Sequence, residues 1–374
     1  MRIGFDAKRA FFNKSGLGSY SRNLLQGLAH YYPDNEFILY TPGVNYDIFE
    51  PKDSCFSVKH PHLLHHRVFN SYWRAFYLSK QIIRDNIKIY HGLSHEIPYG
   101  FPSGVVKSVV TIHDLIFLRL PYLYHAIDRM MYRKKIRYSC NTSDRIIAVS
   151  KQTAMDIMDF FDIREDKIDV VYQGCNPMFN REIPQVEKEI LRMKYVLPKS
   201  FMLYVGTIEE RKNLLTLLKA MHTGKIDYPL VVIGKATSYL NKVIEFIERH
   251  SLINIIFIDI VQNQDLPCIY QLADLFVYPS IFEGFGIPIL EALYSKVPVI
   301  TSKGSCFAEA GGNSTIYIDP NNVEELAAAI RKVLCDTGLQ EKMKEEGYRY
   351  ARNFDEDKVS ANIMQVYKKL AVND

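Results

Sequence analysis

Short strands alternate with helices along this chain, and the alternation occurs twice. In each half, segments rich in β-branched residues are separated by helical stretches such as YSRNLLQGLAHYY. Continuous apolar strands of this kind are typical of a parallel sheet that is covered on both faces. The sequence therefore predicts an α/β fold with two doubly wound, Rossmann-like domains. The predicted strands are RIGFDA, EFILYT, KIYHG, VVKSVVTIHD, RIIAVS and KIDVVYQG in the first half, and FMLYVGT, LVVIGK, NIIFIDI, LFVYPS, VPVITS and TIYIDP in the second.

The junction between the two halves is a polar segment, NPMFNREIPQVEKEILRMKYVLPKS. We predict an N-terminal domain over residues 1–176, a linker over residues 177–198 and a C-terminal domain over residues 199–356. We predict a terminal helix over residues 357–374 and expect it to pack back on the first domain. Its apolar residues at helical spacing are Val359, Ile363, Val366 and Leu370. The 374 residues, 48% of them hydrophobic, are enough for two separate cores.

The composition argues against several classes of protein. The N-terminal segment MRIGFDAKRAFF is interrupted by charges too early for a signal peptide, and no stretch reaches the roughly 18 apolar residues of a membrane span. The six cysteines show neither a C-x-x-C motif nor a histidine at ligand spacing, which argues against a zinc site and a disulfide framework. We therefore expect a reduced, cytoplasmic protein.

A basic segment, HAIDRMMYRKKIRYS, contributes much of the positive charge of the first half. Its cations share residues 125–138 with methionines and tyrosines, and two interpretations stay open. The segment is either a solvated helix face or a contact for an anionic membrane surface or polyanionic acceptor, which would place the protein peripherally on the inner face of the cell membrane. Nucleic acid is not expected as a partner, because the net charge is only +4 and no recognised motif accompanies it.

A glycine pair, Gly16 and Gly18 in KSGLGSYS, follows the first predicted strand. A ten-residue loop from Ala7 separates it from the strand, and the third glycine of a dinucleotide fingerprint is missing. The second strand also ends in Thr41 and Pro42 and not in an acidic residue, so a hydride-transfer enzyme is disfavoured. The glycines either make a plain turn or let the backbone approach a ligand.

Two glutamates, Glu283 and Glu291, stand eight positions apart in SIFEGFGIPILEAL. Between them lies a predicted glycine turn formed by Gly284, Phe285 and Gly286, which lets backbone N–H groups approach a ligand. A helix is predicted after the turn, and its N-terminus suits an anion such as a diphosphate. The pattern therefore predicts an anion site with one carboxylate before the helix and one inside it.

Several motifs together resemble a known family. In the second half they are YVGTIEERKNLLTLLKA, LVVIGK, DLFVYPSIFEGFGIPILEALYSKVPVITS and YIDPNNVEELAAAI, and in the first half RIGFDA, GLGSYSRNLL, VVTIHDLIFLRLP and RIIAVSKQT. In this order they resemble glycosyltransferase family four, retaining enzymes of the GT-B fold, and most of all bacterial mannosyltransferases of surface-polysaccharide assembly. The resemblance implies two Rossmann-like domains that face each other across a cleft, with the first domain on the acceptor side.

The resemblance also implies an activity and its site residues. The activity is transfer of a sugar from a nucleoside diphosphate donor to a hydroxyl of a glycan or lipid-linked glycan, with the α configuration retained. By resemblance, Glu283 contacts the donor sugar, Glu291 the ribose and Lys212 the diphosphate, while His113 faces the sugar from the first domain. The implied catalytic residues are His113, Lys212 and Glu283. The implied donor-binding residues are Gly16, Gly18, Arg211, Lys212, Glu283, Gly284, Phe285, Gly286 and Glu291.

One position departs from the family pattern. The family often has an arginine directly after the glycine of its YVG motif, and this chain has Thr207 there. Two roles stay open for the nearby Arg211. It either substitutes for the missing arginine or pairs with Glu209 or Glu210.

The donor, the metal requirement and two rival functions complete the sequence expectations. The RKN variant at residues 211–213 resembles that of mannosyltransferases and related enzymes of surface-polysaccharide assembly, and this resemblance favours GDP-mannose over a UDP-linked sugar. No D-x-D follows a strand and no His/Cys cluster is present, so we expect no metal or other cofactor.

A nucleotide-sugar epimerase of GT-B architecture is disfavoured because no acid and base pair for one sugar carbon is found. A noncatalytic nucleotide-sugar-binding subunit is disfavoured because every expected donor contact except the Thr207 position is filled.

Overall fold

The computed structural model describes residues 1–61 and 72–371. Two compact units are present, one formed by Met1–Gly174 with Phe354–Asp374 and the other by Cys175–Asn353. The last three residues of the predicted terminal helix, 372–374, lie outside the described residues. No helix within residues 1–61 and 72–371 is long and apolar enough to cross a membrane.

The first unit is built on a seven-stranded parallel sheet in the order β3-β2-β1-β4-β5-β6-β7. Its strands are β1 (Arg2–Asp6), β2 (Glu36–Tyr40), β3 (Phe56–Lys59), β4 (Ile89–Gly92), β5 (Lys107–Ile112), β6 (Arg145–Ala148) and β7 (Ile168–Val170). Its helices up to residue 161 are α1 (Lys8–Phe12), α2 (Gly16–Tyr31), α3 (Leu78–Arg84, continuing a π-helical turn over Trp73–Tyr77), α4 (Ile116–Arg119), α5 (Ala126–Thr142) and α6 (Lys151–Phe161). Short 3-10 turns cover Pro121–Leu123 and Glu165–Lys167.

Two local predictions for this unit were wrong. Strand β3 was missed, because it is an edge strand of only four residues, none of them fully buried, and so short a segment gives a weak signal. The ten-residue loop expected after Ala7 contains the helix α1, whose Ala10 and Phe11 are buried in the core. Gly18 then has a packing reason of its own, since a Cβ there would lie 1.8 Å from the carbonyl oxygen of Asn13.

The second unit carries a six-stranded parallel sheet in the order β10-β9-β8-β11-β12-β13, with the strand order of a dinucleotide-binding fold. The six strands predicted from the sequence of this half are all present. They are β8 (Met202–Val205), β9 (Leu230–Ile233), β10 (Ile255–Ile258), β11 (Leu275–Tyr278), β12 (Val299–Ser302) and β13 (Ile316–Ile318). The helices are α7 (Gln185–Lys194), α8 (Leu214–Thr223), α9 (Leu240–Arg249), α10 (Leu266–Leu272), α11 (Ile287–Tyr294), α12 (Phe307–Gly311), α13 (Val323–Cys335) and α14 (Thr337–Ala351).

The segment predicted as a linker, residues 177–198, lies in the second unit. It contains a 3-10 turn over Pro177–Asn180 and the helix α7. At the end of α7, Lys194 Nζ lies 2.6 Å from Oδ2 of Asp265, next to α10. This part of the segment is therefore attached to the second unit by side-chain contacts.

Neighbouring strand ends in the second unit approach very closely. Strands β8 and β9 run parallel, with Val205 opposite Ile233, and each is followed by a glycine. A Cβ on Gly234 would lie 1.9 Å from the carbonyl oxygen of Gly206, so no other residue fits there without backbone movement. The two glycines bring the loops after β8 and β9 together at the carboxyl edge of the sheet, where ligands of α/β folds bind.

The terminal helix, α15 (Glu356–Ala371), belongs to the first unit. Its apolar side, which includes Ile363 and Val366, is buried in the core of that unit. The Tyr367 hydroxyl lies 2.6 Å from Nδ1 of the fully buried His91. Burial lowers the pKa of His91 to about 3, so the ring is neutral and each nitrogen needs a hydrogen-bond partner.

We expect Tyr367→Phe to destabilise the first unit, because Nδ1 of His91 loses its partner inside the core. An unsatisfied buried polar group costs about 1 to 3 kcal/mol. Urea unfolding followed by circular dichroism measures the loss as a lower midpoint with an unchanged slope. The control is Tyr46→Phe on the surface, where we expect little change. A wild-type midpoint for Tyr367→Phe would contradict the role of this hydrogen bond.

Candidate functional site

The centre of the site in the second unit is the carboxylate of Glu283, in the loop after β11. Its Oε1 lies 3.0 Å from Nζ of Lys212 and 2.6 Å from a guanidinium nitrogen of Arg211. It also accepts hydrogen bonds from the hydroxyls of Tyr278, at 2.7 Å, and Ser280, at 2.9 Å. Burial alone would raise the pKa of Glu283, but Lys212 and Arg211 outweigh burial and hold it at about 2. The carboxylate is therefore ionised throughout the physiological range.

Arg211 and Lys212 come from a single 3-10 turn, Glu210–Lys212, in the loop that follows β8. One Arg211 nitrogen lies 2.6 Å from the carboxylate of Glu209, and another donates to the Phe282 carbonyl at 2.6 Å. Arg211 thus pairs with Glu209 and Glu283 in the described part of the chain, and no contact with Glu210 is found there. The neighbouring carboxylates raise the pKa of Arg211 despite its burial.

The position of Lys212 depends on local backbone features. A Cβ on Gly206 would lie 2.8 Å from Cδ of Lys212, so glycine leaves the room that the lysine side chain occupies. Nζ then lies 4.9 Å from the centroid of the Tyr278 ring, a cation–π contact. The next residue, Asn213, adopts a left-handed conformation with φ of 61°, and its amide donates to the carbonyls of Pro279 and Pro320. These contacts fix the turn that presents both cations.

Glu291 lies one turn inside α11, where its Oε2 accepts a hydrogen bond from the Tyr270 hydroxyl at 2.9 Å. Burial raises the pKa of Glu291 to about 7, and the Tyr270 hydrogen bond and the charge of Lys212 offset only part of that rise. The two glutamates of the motif therefore differ in protonation. At neutral pH Glu283 is fully ionised, whereas Glu291 exists in both forms.

The glycine turn before α11 is held by buried neighbours. Gly286, with φ of 107°, is the residue that precedes the helix, and Phe285 is buried. The Cys306 thiol donates to the carbonyls of Glu283 and Phe285, at 3.2 and 3.0 Å. The turn of Gly284, Phe285 and Gly286 thus connects Glu283 to the N-terminus of α11, as the sequence pattern predicted.

His113 lies in the first unit, directly after β5, and is almost completely buried. Its Nε2 donates to the Leu93 carbonyl at 2.9 Å, and its Nδ1 lies 3.1 Å from the Gln173 side-chain amide. The Tyr20 ring packs edge-on against it at 4.6 Å. Burial lowers the pKa of His113 to about 3, with a smaller contribution from His95, so the ring is neutral. Both ring nitrogens are engaged within the unit.

The predicted site residues thus divide between the two units. Arg211, Lys212, Glu283, the Gly284-Phe285-Gly286 turn and Glu291 gather in the second unit, at the carboxyl edge of its sheet. His113 lies in the first unit with Gly16 and Gly18, which belong to the first turn of α2. No group of three or more His, Cys, Asp and Glu side chains that could hold a metal ion is found within residues 1–61 and 72–371.

Sequence reasoning missed three polar partners in this site. Tyr278 and Ser280 stand five and three positions before Glu283, so a local signal existed in the polar end of LFVYPS. Tyr270 comes from α10, twenty-one positions before the Glu291 that it contacts. No local pattern links those two residues, because the contact depends on how α10 and α11 pack.

The raised pKa of Glu291 predicts that the stability of the folded protein depends on pH. The pKa of Glu291 is about 7 in the folded protein and 4.5 in the unfolded chain. Between these pH values the folded protein binds more protons than the unfolded chain. The free energy of unfolding therefore falls as the pH rises from about 4.5 through 7. Glu291→Gln lacks this titration. We expect its stability relative to wild type to increase from about pH 5 to pH 8, by on the order of 2 to 3 kcal/mol, in urea unfolding.

Glu283→Gln is the matched control for this measurement. Glu283, whose pKa is about 2, stays ionised over the whole range, so the stability difference between its variant and wild type should not change with pH. If the stability difference between Glu291→Gln and wild type were also independent of pH, Glu291 would have no raised pKa.

Comparison with known proteins identifies two family models along this chain. The model for Glycosyltransferase Family 4 matches residues 14–179, and the model for Glycosyl transferases group 1 matches residues 187–350. The O-antigen chain mannosyltransferase B of Escherichia coli is 30% identical over 289 residues, which are 75% of this chain and 74% of that protein. The serotype-specific mannosyltransferase WbdA of Escherichia coli is 28% identical over 72% of this chain, which spans only 34% of the length of WbdA.

A solved structure shows the same fold. Anabaena Alr3699/HepE in complex with UDP-glucose superposes with a TM-score of 0.76 at 16% identity, covering 99% of this chain and 100% of that one. With the two doubly wound sheets described above, this likeness confirms the predicted GT-B fold. The sequence matches cover nearly the whole chain and agree with the predicted family. The chain therefore belongs to glycosyltransferase family 4, within the glycosyl transferases of group 1.

Proposed function

We propose that this glycosyltransferase moves a sugar from a nucleoside diphosphate donor to a hydroxyl of a glycan or lipid-linked glycan, with the α configuration retained. The observation that carries the proposal is the cluster of Arg211, Lys212 and Glu283 beside the N-terminus of α11. Two cations and a carboxylate at the carboxyl edge of one parallel sheet suit a ligand that has both a diphosphate and sugar hydroxyls. The UDP-glucose complex of the related fold supports this class of donor.

In this proposal the cations stabilise the departing diphosphate. Both cations contact the same oxygen of Glu283. A diphosphate offers several anionic oxygens to a guanidinium and an ammonium, and negative charge grows on it as the glycosidic bond breaks. The contacts of Arg211 and Lys212 would therefore strengthen in the transition state. Arg211 would then take the role of the arginine that is missing at Thr207.

The two glutamates would hold opposite ends of the donor. In the described part of the chain, the polar contacts of the Glu283 side chain all meet Oε1, so Oε2 is the oxygen that would accept a hydrogen bond from a donor-sugar hydroxyl. Glu291, one turn inside α11, would accept hydrogen bonds from the ribose. Because ribose hydroxyls donate, they favour the ionised form of Glu291, and donor binding would lower its pKa from about 7.

Retention needs no protein nucleophile in this scheme. The glycosyl–phosphate bond breaks, the acceptor oxygen attacks the same face of the sugar, and a leaving phosphate oxygen takes the acceptor's proton. The neutral His113 ring would contact the sugar by exchanging one of its two hydrogen bonds, to Leu93 or to Gln173, for a sugar hydroxyl. We propose that the reaction needs no metal, since Arg211 and Lys212 supply the positive charge at the diphosphate.

The preferred donor in this proposal is GDP-mannose. Two of the relatives are named mannosyltransferases, one of O-antigen chains and one serotype-specific, and the RKN motif agrees with that assignment. These names favour a transferase over an epimerase or a noncatalytic subunit. Release of nucleoside diphosphate only after an acceptor is added would separate the transferase from both alternatives.

Peripheral contact with an anionic membrane through residues 125–138 is also part of the proposal. Helix α5 exposes Ile127 and Met130, at 69% and 66% of their surface, among arginines and lysines. Apolar side chains that face solvent between cations are typical of helices that lie in the headgroup region of an anionic bilayer. Such a contact would keep the enzyme close to a lipid-linked acceptor.

The donor assignment predicts the outcome of a thermal-shift experiment. GDP should raise the melting temperature more than UDP at equal concentration, and the rise should persist in the presence of a chelator. A ligand at 100 times its Kd adds about 2.7 kcal/mol to the stability of the folded protein. A larger rise with UDP would contradict the guanine assignment. A rise that requires Mg²⁺ or Mn²⁺ would contradict metal independence.

The roles of the two glutamates predict different kinetic effects. Glu291→Gln weakens a contact that is similar in the ground and transition states, so it should mainly raise the donor KM. Glu283→Gln weakens a contact that tightens as positive charge grows on the sugar, so kcat should fall by roughly 30- to 1000-fold, or about 2 to 4 kcal/mol. Circular dichroism checks the folding of both variants. The reverse pattern would mean that the donor lies the other way round.

A further inference from the structure

Helix α7 of the second unit carries apolar side chains on its outward side. Val186, Ile190 and Met193 follow each other at intervals of four and three residues, so they lie on one side of the helix. Val196 comes just after the helix, and all four side chains are between 55% and 81% exposed. Leu191, on the opposite side of α7, is buried. We call Val186, Ile190, Met193 and Val196 the α7 face.

An exposed apolar stripe of this kind is unusual on a surface helix. Single exposed hydrophobic residues are common, but a contiguous group marks a surface that another molecule covers. The outward side of an amphipathic helix is normally polar. Val196 also has a left-handed backbone with φ of 51°, which is uncommon for a β-branched residue. The α7 face is not part of the donor site, so the proposed reaction does not account for it.

Opposite charges lie beside the α7 face at its two ends. Glu187 and Lys194 are seven positions apart, which is close to two helical turns, so they lie along the same flank. Within the chain Glu187 pairs with Arg181 at 3.1 Å and Lys194 with Asp265 at 2.6 Å. Both side chains keep 42% of their surface exposed, so each is open to a further partner.

These positions are complementary to a second copy of the same helix that runs antiparallel. About a two-fold axis, Glu187 of each copy comes beside Lys194 of the other copy, and the ion pair forms twice. In the same register Ile190 faces Met193 of the second copy, and Val186 faces Val196. A parallel arrangement would instead bring Glu187 against Glu187 and Lys194 against Lys194. The charges therefore favour an antiparallel pair.

We propose that the α7 face is the interface of a homodimer in which two copies of this chain pack their α7 helices antiparallel. An anionic membrane is the weaker candidate, because the carboxylates of Glu187 and Glu189 flank the apolar stripe and would be repelled by it. The inference goes beyond the proposed reaction and does not depend on the donor or the acceptor.

The size of the face determines how stable the dimer should be. A standard interface buries about 800 Å² on each partner. A helix of ten residues is only about 15 Å long and supplies part of that area. We therefore expect a reversible dimer with a dissociation constant of about 1 to 100 μM.

The first test is sedimentation velocity on the full chain, from well below to well above that concentration range. The wild type should change from monomer to dimer as its concentration rises. Ile190→Asp should raise the dissociation constant by about tenfold or more, because it buries a charge in the apolar interface. The control is Ile253→Asp, at an 88% exposed isoleucine outside α7, which should dimerise like wild type.

Circular dichroism checks that both aspartate variants are folded. A wild type that stays monomeric over the whole range would overturn the proposal. Equal dissociation constants for Ile190→Asp and Ile253→Asp would overturn it as well.

Glu187→Lys tests the charge pairing without changing the apolar stripe. It replaces two ion pairs of the dimer by two repulsive contacts with Lys194, so the dissociation constant should rise by roughly 3- to 10-fold. Glu248→Lys makes the same charge change at an exposed position of α9 and should have no effect on dimerisation. An unchanged dissociation constant for Glu187→Lys would overturn the antiparallel arrangement.

Disulfide cross-linking tests the orientation of the two helices. The variants Val186→Cys and Val196→Cys are made in a background in which the exposed Cys335 is replaced by serine. A mixture of the two should form a cross-linked dimer on mild oxidation, whereas neither variant should do so alone. In the antiparallel pair the two copies of residue 186 are about 16 Å apart along the helix axis, too far for a disulfide. Cross-linking by Val186→Cys alone would overturn the proposal.

Co-sedimentation with phosphatidylglycerol vesicles tests the membrane as the alternative occupant of the α7 face. Ile190→Asp and wild type should bind these vesicles equally, because the proposed partner of the face is a second copy of the chain. Weaker vesicle binding by Ile190→Asp, together with a monomeric wild type, would overturn the homodimer and assign the face to a lipid surface.

Discussion

The second unit is organised around the neutralisation of Arg211 and Lys212 by one buried carboxylate, Glu283. Two adjacent cations at the end of a parallel sheet repel each other and lose hydration when they are partly buried. Glu283 compensates this charge from a different loop, and the hydroxyls of Tyr278 and Ser280 complete its hydrogen bonds. The loops after β8 and β11 are thereby tied together by charge, in a geometry that a diphosphate sugar could enter by replacing carboxylate oxygens with phosphate oxygens.

Backbone packing makes this arrangement possible. The glycines after β8 and β9 touch through their backbones, and Gly206 also leaves space for the Lys212 side chain. Any larger residue at Gly206 would push the ammonium away from Tyr278 and Glu283. The charged residues and the glycines therefore depend on one another. The cations reach the carboxylate only because glycines without side chains follow the two strands.

The two glutamates of the motif have opposite electrostatic environments. Cations hold the pKa of Glu283 at about 2, whereas burial against Tyr270 raises the pKa of Glu291 to about 7. Carboxylates whose pKa values are pushed apart commonly have different roles in one site. Here Glu283 is a permanent charge beside the cations, and Glu291 is a group whose ionisation can respond to a ligand.

Local sequence patterns were enough to predict the class of the fold and most of the elements of the second unit. Its strands are continuous apolar runs, which are typical of a parallel sheet covered on both faces, so the six strands of that unit and their glycine turn could be predicted. Local signals also placed Glu283 in a turn before a helix, and Arg211 and Lys212 where a glycine turn leads into another helix. Edge strand β3 and helix α1 were missed, because segments of four and five residues are too short to show a distinct period.

Tertiary structure decided which of these side chains meet. The Arg211–Glu283 contact joins residues 72 positions apart, and the Tyr270–Glu291 contact depends on the packing of two helices. The pKa values follow from that packing, since burial and neighbouring charge are properties of three-dimensional position. These pKa values have no local signature in the sequence, because electrostatic interactions act through space and not along the chain.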